Sequence, residues 1–131
     1  NNARPTALIG VSGQFSAFTE TVVRAMAKHN ARPIIFPLSN PISCAEGTPA
    51  EIERWSEGRA IVSAGSPFPP LKRGGKEFRV DQTNNSYIFP GVGLGAVATQ
   101  ARRITDTMFM AAAKALALSP PSSTSTSWMF G

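Results

Sequence analysis

The side chains best suited to bind a small molecule are three amides, those of Asn40, Asn84 and Asn85. An amide both donates and accepts hydrogen bonds, so an adjacent pair could hold a carboxylate or a carboxamide without adding charge. Asn40, next to the rigid Pro41, could instead form an Asx turn, and both interpretations stay open on the residues alone. For Asn84-Asn85 a plain turn is the preferred interpretation unless another feature indicates a site.

Other reactive residue types are isolated in the sequence. The single histidine, His29, falls at a predicted helix end, and the single cysteine, Cys44, has no basic partner that would make it a nucleophile. The second predicted helix carries acidic residues that are expected to face solvent, namely Glu51, Glu53 and Glu57. Since no carboxylate cluster suited to a metal is visible, we predict no metal ligands within this chain.

Apolar runs and helix-start signals predict alternating strands and helices in the first half of the chain. Helix starts are indicated by Thr19, with Glu20 in the following turn, and by the capping box Thr48-Pro49-Ala50-Glu51. The predicted strands cover 7–11, 33–38 and 60–65, and the predicted helices cover 19–30 and 48–58. Such alternation implies right-handed crossovers and an α/β fold, with a parallel sheet and helices on both faces.

Each predicted strand ends in small polar residues, in the segments Ser12-Gly13-Gln14, Ser39-Asn40-Pro41 and Gly65-Ser66-Pro67. The carboxyl ends of parallel strands meet at one edge of a sheet, where open α/β folds bind their ligands. The sequence therefore predicts a ligand crevice lined by these three segments. Their small residues would let a ligand approach the backbone.

Beyond the third strand the pattern is less regular. Residues 67–83 are predicted to form an irregular excursion, and the apolar run Tyr87-Ile88-Phe89 is predicted to be buried. The alanine-rich stretch 92–118 predicts two helices separated by a cap at Thr105-Asp106. The uncharged Ser/Thr/Pro-rich residues 119–131 predict a disordered or loosely docked tail.

A glycine-rich segment, Gly91-Val92-Gly93-Leu94-Gly95-Ala96, superficially resembles a dinucleotide-binding fingerprint. It follows a proline rather than the first strand of a βαβ unit, and its third glycine comes too early. We therefore interpret these glycines as allowing close helix packing, or close approach of a ligand to a helix N-terminus.

Charge and composition argue against several classes of partner. The net charge is +5, but the basic residues are scattered, and the cluster of Lys72, Arg73, Lys76 and Arg79 fits a solvated hairpin turn better than a nucleic-acid groove. No apolar run reaches the roughly 18 residues of a membrane-spanning helix. A single cysteine excludes a disulfide framework. We expect no nucleic-acid or membrane partner, and a cytoplasmic location.

Several segments together resemble the malic enzyme family. They follow the order of that family over residues 5–118, and the last of them is the most specific. The segments are Thr6-Ala7-Leu8-Ile9-Gly10-Val11-Ser12-Gly13, Arg32-Pro33-Ile34-Ile35-Phe36, Leu38-Ser39-Asn40-Pro41, Ser63-Ala64-Gly65-Ser66-Pro67-Phe68 and Asn84-Asn85-Ser86-Tyr87-Ile88-Phe89-Pro90-Gly91. Three departures affect loop geometry: Ile42 stands where the family usually has threonine, Asp81 where it usually has glycine, and Phe15-Ser16 where it usually has a pair that contains glycine.

The resemblance implies a fold, a reaction and a set of site residues. Residues 1–118 would be the C-terminal half of a Rossmann-type NAD(P)-binding domain, ending in C-terminal helices. Malic enzymes oxidise and decarboxylate malate to pyruvate and CO₂, using NAD or NADP and a divalent metal, Mg²⁺ or Mn²⁺. By this resemblance Asn40, Asn84 and Asn85 bind the substrate. Val11 and Ser12, together with Asn40 and Asn84, contact the cofactor.

The resemblance also implies that important parts lie elsewhere. The family's catalytic tyrosine and lysine, its metal-binding carboxylates and its phosphate-binding loop all precede the matched region, so the isolated chain is expected to be inactive without the remainder of a malic enzyme chain. Half a sheet leaves an edge strand and a helix face uncovered, which predicts self-association and a homo-oligomer. The alternative is a standalone, non-catalytic α/β module that binds a nucleotide or a protein partner. A first residue of Asn1 rather than methionine favours the fragment.

Overall fold

The computed structural model describes residues 3–119, which divide into two compact units after Asn84. The predicted tail at 119–131 lies, apart from Ser119, outside the described residues. The first unit contains β1 (Ala7–Gly10), α1 (Glu20–His29), β2 (Ile34–Pro37), α2 (Pro49–Trp55), β3 (Ile61–Ala64), β4 (Leu71–Arg73), β5 (Lys76–Phe78) and β6 (Asp81–Gln82). The second contains α3 (Phe89–Ala98) and α4 (Asp106–Leu118).

The first unit is built on a four-stranded sheet in the order β1-β2-β3-β6. All three pairings are parallel, with Leu8 beside Ile35 and Ile35 beside Val62 in the register. The α1 and α2 helices connect the first three strands as crossovers, because parallel neighbours cannot be joined by a tight turn. The predicted α/β fold with a parallel sheet and helices is therefore confirmed. Both α1 and α2 pack on the face that carries Ile35, and helices on the other face stay a prediction.

The core lies between this sheet and the two helices. Val23 and Met26 of α1, Ile52 of α2 and Ile35 of β2 are buried together, with Phe18 beside them. Side chains alternate between the two faces of a strand, so the residues before and after Ile35 along β2, Ile34 and Phe36, face the opposite side together with their register partners. That side carries Ile9 and Ile61, which are 58% and 40% exposed within the described chain.

The two helix starts follow the sequence signals to different degrees. Thr48 forms the predicted capping box: its hydroxyl accepts a hydrogen bond from the Glu51 backbone N–H at 3.3 Å, and the Glu51 carboxylate accepts one from the Thr48 N–H at 3.2 Å. Thr19 is the N-cap of α1 as predicted, yet its side chain makes no capping hydrogen bond. The second helix ends at Trp55, before Gly58.

The stretch 67–83 is more regular than predicted. Its basic cluster forms a hairpin of β4 and β5, in which Arg73 lies opposite Lys76 across the predicted polar turn. The prediction of an irregular excursion is wrong at its end, because β6 pairs with β3 through Ser63–Asp81 and Ala64–Gln82. A strand of two residues is too short to show a hydrophobic period, and a hydrogen bond from Ser63 Oγ to the Asp81 carbonyl at 2.7 Å helps to hold it.

The second unit is helical. Asn85–Tyr87 form a short 3₁₀ helix before α3, and Thr105 is the N-cap of α4 as predicted. The predicted burial is wrong for Tyr87 and Phe89, which are 54% and 63% exposed within the described chain, whereas Ile88 is half-buried. Tyr87 ends the 3₁₀ helix and Phe89 begins α3, so both lie at the junction of two helices rather than in the middle of one.

Candidate functional site

The polar strand ends meet at the carboxyl edge of the sheet, where loops follow β1, β2, β3 and β6; a ligand crevice between them stays a prediction. The first contact joins the loops after β1 and β2, because the Gly13 N–H donates to Ser39 Oγ at 2.9 Å. Leu38 N–H also donates to the Gly10 carbonyl at 2.9 Å, which continues the pairing of the two strands to their ends. The segments at 12–14 and 39–41 therefore lie side by side, as the sequence predicts.

The loops after β2 and β3 are joined through Asn40. The hydroxyl of the buried Ser66 donates to Asn40 Oδ1 at 2.5 Å, and Asn40 Nδ2 is 3.4 Å from the Leu38 carbonyl. The Asn40 side chain thus contacts the backbone at the end of β2, two residues earlier, and also the loop after β3. Its amide is fixed from both ends while the residue as a whole remains exposed at the edge of the sheet.

The loop after β6 reaches the same edge. Both Gln82 Nε2 and Asn84 Nδ2 donate to the Gly65 carbonyl, at 2.9 Å and 3.3 Å. Gly65 is adjacent in sequence to Ser66, so Asn84 is tied to the loop that also contacts Asn40. The structure therefore brings Asn40 and Asn84 to adjoining loops, although they are far apart in the sequence.

The other predicted site residues are Val11, Ser12 and Asn85, and they lie in different parts of the structure. Val11 and Ser12 follow β1 directly and are exposed, with Val11 77% exposed. Asn85 belongs to the second unit, where its carbonyl accepts from the Ile88 N–H at 2.9 Å and its side chain is exposed. The substrate-binding role predicted for Asn85 stays a prediction.

One residue at this edge, Glu46, is not among the site residues predicted from the sequence. Glu46 has no exposed surface, and its carboxylate accepts hydrogen bonds from Ser12 Oγ at 2.9 Å and from Ser39 Oγ at 2.6 Å. The backbone N–H groups of Ser12, Gly13 and Ser39 donate to it as well, at 2.7, 3.3 and 3.3 Å. The sequence does contain a signal, because Glu46 is the sole charged residue between Pro33 and Ala50.

The surroundings of Glu46 favour its charged form. Burial alone would raise the pKa of this carboxyl, but the hydrogen bonds from the Ser39 hydroxyl, from its own backbone N–H and from Ser12 outweigh burial and lower the pKa to about 2. A carboxylate that accepts several N–H and O–H donors is stabilised relative to the protonated acid. Glu46 is therefore an anion at neutral pH, stabilised by neutral donors of the two loops and by its own backbone.

The described residues at this edge include few candidates for metal binding or for nucleophilic attack. Among residues 3–119, no group of three or more His, Cys, Asp and Glu side chains is close enough to hold a metal ion. Cys44 is half-buried in a 3₁₀ helix (Ile42–Cys44), after the loop that carries Asn40. What the edge offers a ligand is a set of fixed amides, hydroxyls and backbone groups, which suits orientation of a polar, planar group.

A separate apolar groove of about 620 Å³ lies in the second unit between α3 and α4. Gly91, Val92 and Gly95 contribute from α3, and Met108 and Ala112 from α4. Across the described chain, a Cβ atom on Gly91, Gly93 or Gly95 would meet no atom within 4 Å. Close helix packing at these glycines is therefore not observed here, and close ligand approach stays a prediction.

The sequence matches a known protein family over almost its whole length. Residues 1–129 match the family model described as the NAD-binding domain of malic enzyme. The chain belongs to the malic enzyme family. The predicted family membership is therefore confirmed, and the α/β sheet is that of its NAD-binding domain.

Individual malic enzymes are closely similar to the chain. It is 57% identical over 120 residues to the NAD-dependent malic enzyme of Aeromonas hydrophila, covering 92% of this chain and 21% of that protein. It is 60% identical over 116 residues to the enzyme of the same name from Pectobacterium carotovorum, covering 88% of this chain and 20% of that protein. The chain therefore spans about a fifth of the length of the curated relatives it matches.

Proposed function

We propose that this chain forms the part of an NAD-dependent malic enzyme that orients the nicotinamide end of the cofactor and the malate. The observation that carries this proposal is the series of hydrogen bonds along the carboxyl edge of the sheet. That series joins Ser12 and Ser39 through the carboxylate of Glu46, continues from Ser66 to Asn40, and ends with Asn84 on the Gly65 carbonyl. Ligands of open parallel sheets bind at this edge.

The roles of individual residues in the proposal follow from what each can offer. Val11 presents an exposed apolar side chain suited to one face of the nicotinamide ring, and Ser12 lies beside it at the end of β1. Asn40 and Asn84 are held by neighbouring loops and supply amide groups for the cofactor carboxamide and the malate carboxylates. Asn85 is proposed as a further substrate-binding amide.

The reaction proposed for the whole enzyme is oxidation of malate, followed by decarboxylation to pyruvate and CO₂. NAD supplies the acceptor for the hydride, and the residues of this chain hold the cofactor and the substrate in a reactive orientation. Fixed side chains are suited to this task because their geometry is set before the ligand binds. The named relatives use NAD, so we propose NAD rather than NADP as the cofactor.

The described residues do not fit the divalent metal that the family resemblance implies. No group of candidate ligands comes together within residues 3–119. We propose that the Mg²⁺ or Mn²⁺ ligands, and the catalytic tyrosine and lysine, belong to the remainder of the malic enzyme chain. We accordingly propose that the 131-residue polypeptide alone does not turn over malate.

The remainder of the enzyme is also the proposed partner of the sheet face opposite α1 and α2. Ile9 and Ile61 expose apolar surface there, which is unfavourable in water. We further propose that the enzyme is a cytoplasmic homo-oligomer. Within the described residues, no helix combines the length and the apolar character needed to cross a bilayer.

The proposal is tested with the complete natural protein that carries this sequence. NADH formation should require malate, NAD and Mn²⁺ together, and Asn40→Ala should raise the KM for malate or NAD at least about tenfold, since a hydrogen-bonded site discriminates strongly against loss of a polar partner. Asn30→Ala is the matched control, because its amide donates to the Pro5 and Met26 carbonyls away from this edge. Absence of malate-dependent NADH formation by the wild-type protein contradicts the proposal.

A further inference from the structure

Glu46 is the one charged side chain among the buried residues of the described chain. Buried carboxylates are rare unless they are paired or hydrogen-bonded, because removal from water is strongly unfavourable for a charge. The partners of Glu46 are neutral hydroxyl and backbone N–H groups of two loops. These loops are the ones that, in the proposed function, face the nicotinamide.

We propose that Glu46 is a positioning residue for cofactor binding, which fixes the loop after β1 against the loop after β2. Its Oε1 atom accepts from Ser12 and Gly13 of the first loop and from the Ser39 hydroxyl of the second, while Oε2 accepts from the Ser39 N–H. One side chain thus sets the distance between Val11-Ser12 and Asn40. This inference rests on the proposed function of the two loops.

A carboxylate is specifically suited to this position. Every group around it donates, so both oxygens must accept, and a glutamine would turn an N–H₂ group toward one of the donors. The Ser39 hydroxyl accepts from the Gly13 N–H at 2.9 Å and donates to Glu46, which links the two loops twice. An apolar replacement would leave the backbone N–H groups of Ser12 and Ser39 without these acceptors.

The end of β1 is shaped to admit the carboxylate. A Cβ atom on Gly10 would lie 2.6 Å from Glu46 Cδ and 2.7 Å from its Oε2, closer than real contacts of this kind. Glycine at position 10 therefore gives the Glu46 side chain the space in which it reaches Ser12. The charged residue and the strand end fit each other, which is expected of a site that holds loops in a fixed geometry.

The test is Glu46→Gln in the complete natural protein, with NAD as the probe. We expect the Kd and KM for NAD to rise roughly tenfold, because NAD must then order the two loops as it binds, while kcat of the bound complex changes less than about twofold. Glu51→Ala is the matched control, because it removes a carboxylate that caps α2 but does not touch the cofactor loops. It should lower stability and leave NAD affinity at the wild-type value.

A second variant covers the case in which Glu46→Gln does not fold. Ser39→Ala removes the hydroxyl that joins Gly13 to Glu46 and should raise the Kd for NAD in the same direction by a smaller factor. Folded variants with wild-type NAD affinity overturn the inference, as does an equal loss of affinity in Glu51→Ala. A wild-type protein that fails to bind NAD overturns the proposed function itself, so the two failures are distinct.

Discussion

A Cβ atom added to Gly65 would lie 2.0 Å from the carbonyl oxygen of Leu38, so the ends of β2 and β3 meet backbone to backbone. Gly65 N–H donates to the Pro37 carbonyl at 3.0 Å across the same junction. Its own carbonyl accepts from Asn84. Any side chain at position 65 would therefore separate the loops that carry Asn40 and Asn84.

Gly65→Ala is accordingly expected to destabilise the protein by about 3 kcal/mol. This value is at the upper end of the usual range for overpacking, because the added methyl group would meet backbone atoms of Leu38, which cannot rotate away as a side chain can. The free energy of urea unfolding of the complete natural protein measures this effect. Gly93→Ala in α3 is the control: its added methyl meets no atom of the described chain within 4 Å, and alanine favours a helix by up to about 1 kcal/mol. Equal urea midpoints for Gly65→Ala and wild type would contradict the steric argument.

The low pKa of Glu46 predicts that the folded protein loses stability in acid. Its pKa in the folded state is about 2, below the ordinary value of 4.5, so its contribution is complete above pH 4.5 and is lost as pH falls toward 2. This lowering of the pKa corresponds to roughly 3 kcal/mol in the free energy of unfolding, at 1.36 kcal/mol for each pKa unit. Unfolding measured from pH 7 to pH 3 should show the gap between wild type and Glu46→Gln narrowing below pH 4.5.

A matched acidic residue distinguishes this effect from general acid denaturation. Glu20→Gln removes an exposed carboxylate that pairs with Arg24 at 2.7 Å within α1. Such surface pairs contribute roughly 0.3–0.5 kcal/mol, so this variant should follow the wild-type pH curve closely. A constant difference between wild type and Glu46→Gln across the whole pH range would show that Glu46 does not titrate as inferred.

The contact between Ser66 and Asn40 predicts a specific loss of activity. Ser66→Ala removes the donor to Asn40 Oδ1, and the freed amide is then held through its Leu38 contact alone. A neutral hydrogen bond contributes about 1 kcal/mol, so we expect kcat/KM for malate to fall roughly fivefold. Ser56→Ala removes another buried hydroxyl, at the end of α2, and should leave kcat/KM unchanged. Equal effects of both variants would indicate general destabilisation instead.

The sequence predicted the elements that depend on local signals and missed those that depend on tertiary partners. The Thr48 capping box and the small polar strand ends are local patterns, so their positions were found correctly. Glu46 was missed because its role depends on donors more than thirty residues away at Ser12, together with the nearer Ser39. The β6 strand was missed because its two residues are defined by pairing with β3 rather than by any pattern of their own.

Threonine is the N-cap of both α1 and α2, but only the threonine before α2 caps its helix with its side chain. Thr48 accepts a capping hydrogen bond from Glu51 and contacts its carboxylate at 2.7 Å, whereas Thr19 occupies the same position before α1 without a side-chain capping bond. Removing a capping side chain typically destabilises a helix by about 1 kcal/mol, so Thr48→Ala should have that effect and Thr19→Ala should have almost none.

Amide hydrogen exchange provides the local measurement that this comparison needs. In the complete natural protein, Thr48→Ala should speed exchange in the first turn of α2 about fivefold, as expected for a local loss of about 1 kcal/mol. Amide exchange in α1 should be unaffected by Thr19→Ala, because the Thr19 side-chain oxygen accepts no hydrogen bond from the first-turn N–H groups of that helix. A slowed or unchanged α2 in Thr48→Ala would refute the capping box, and a strong effect at Thr19 would show that this side chain caps α1 in solution.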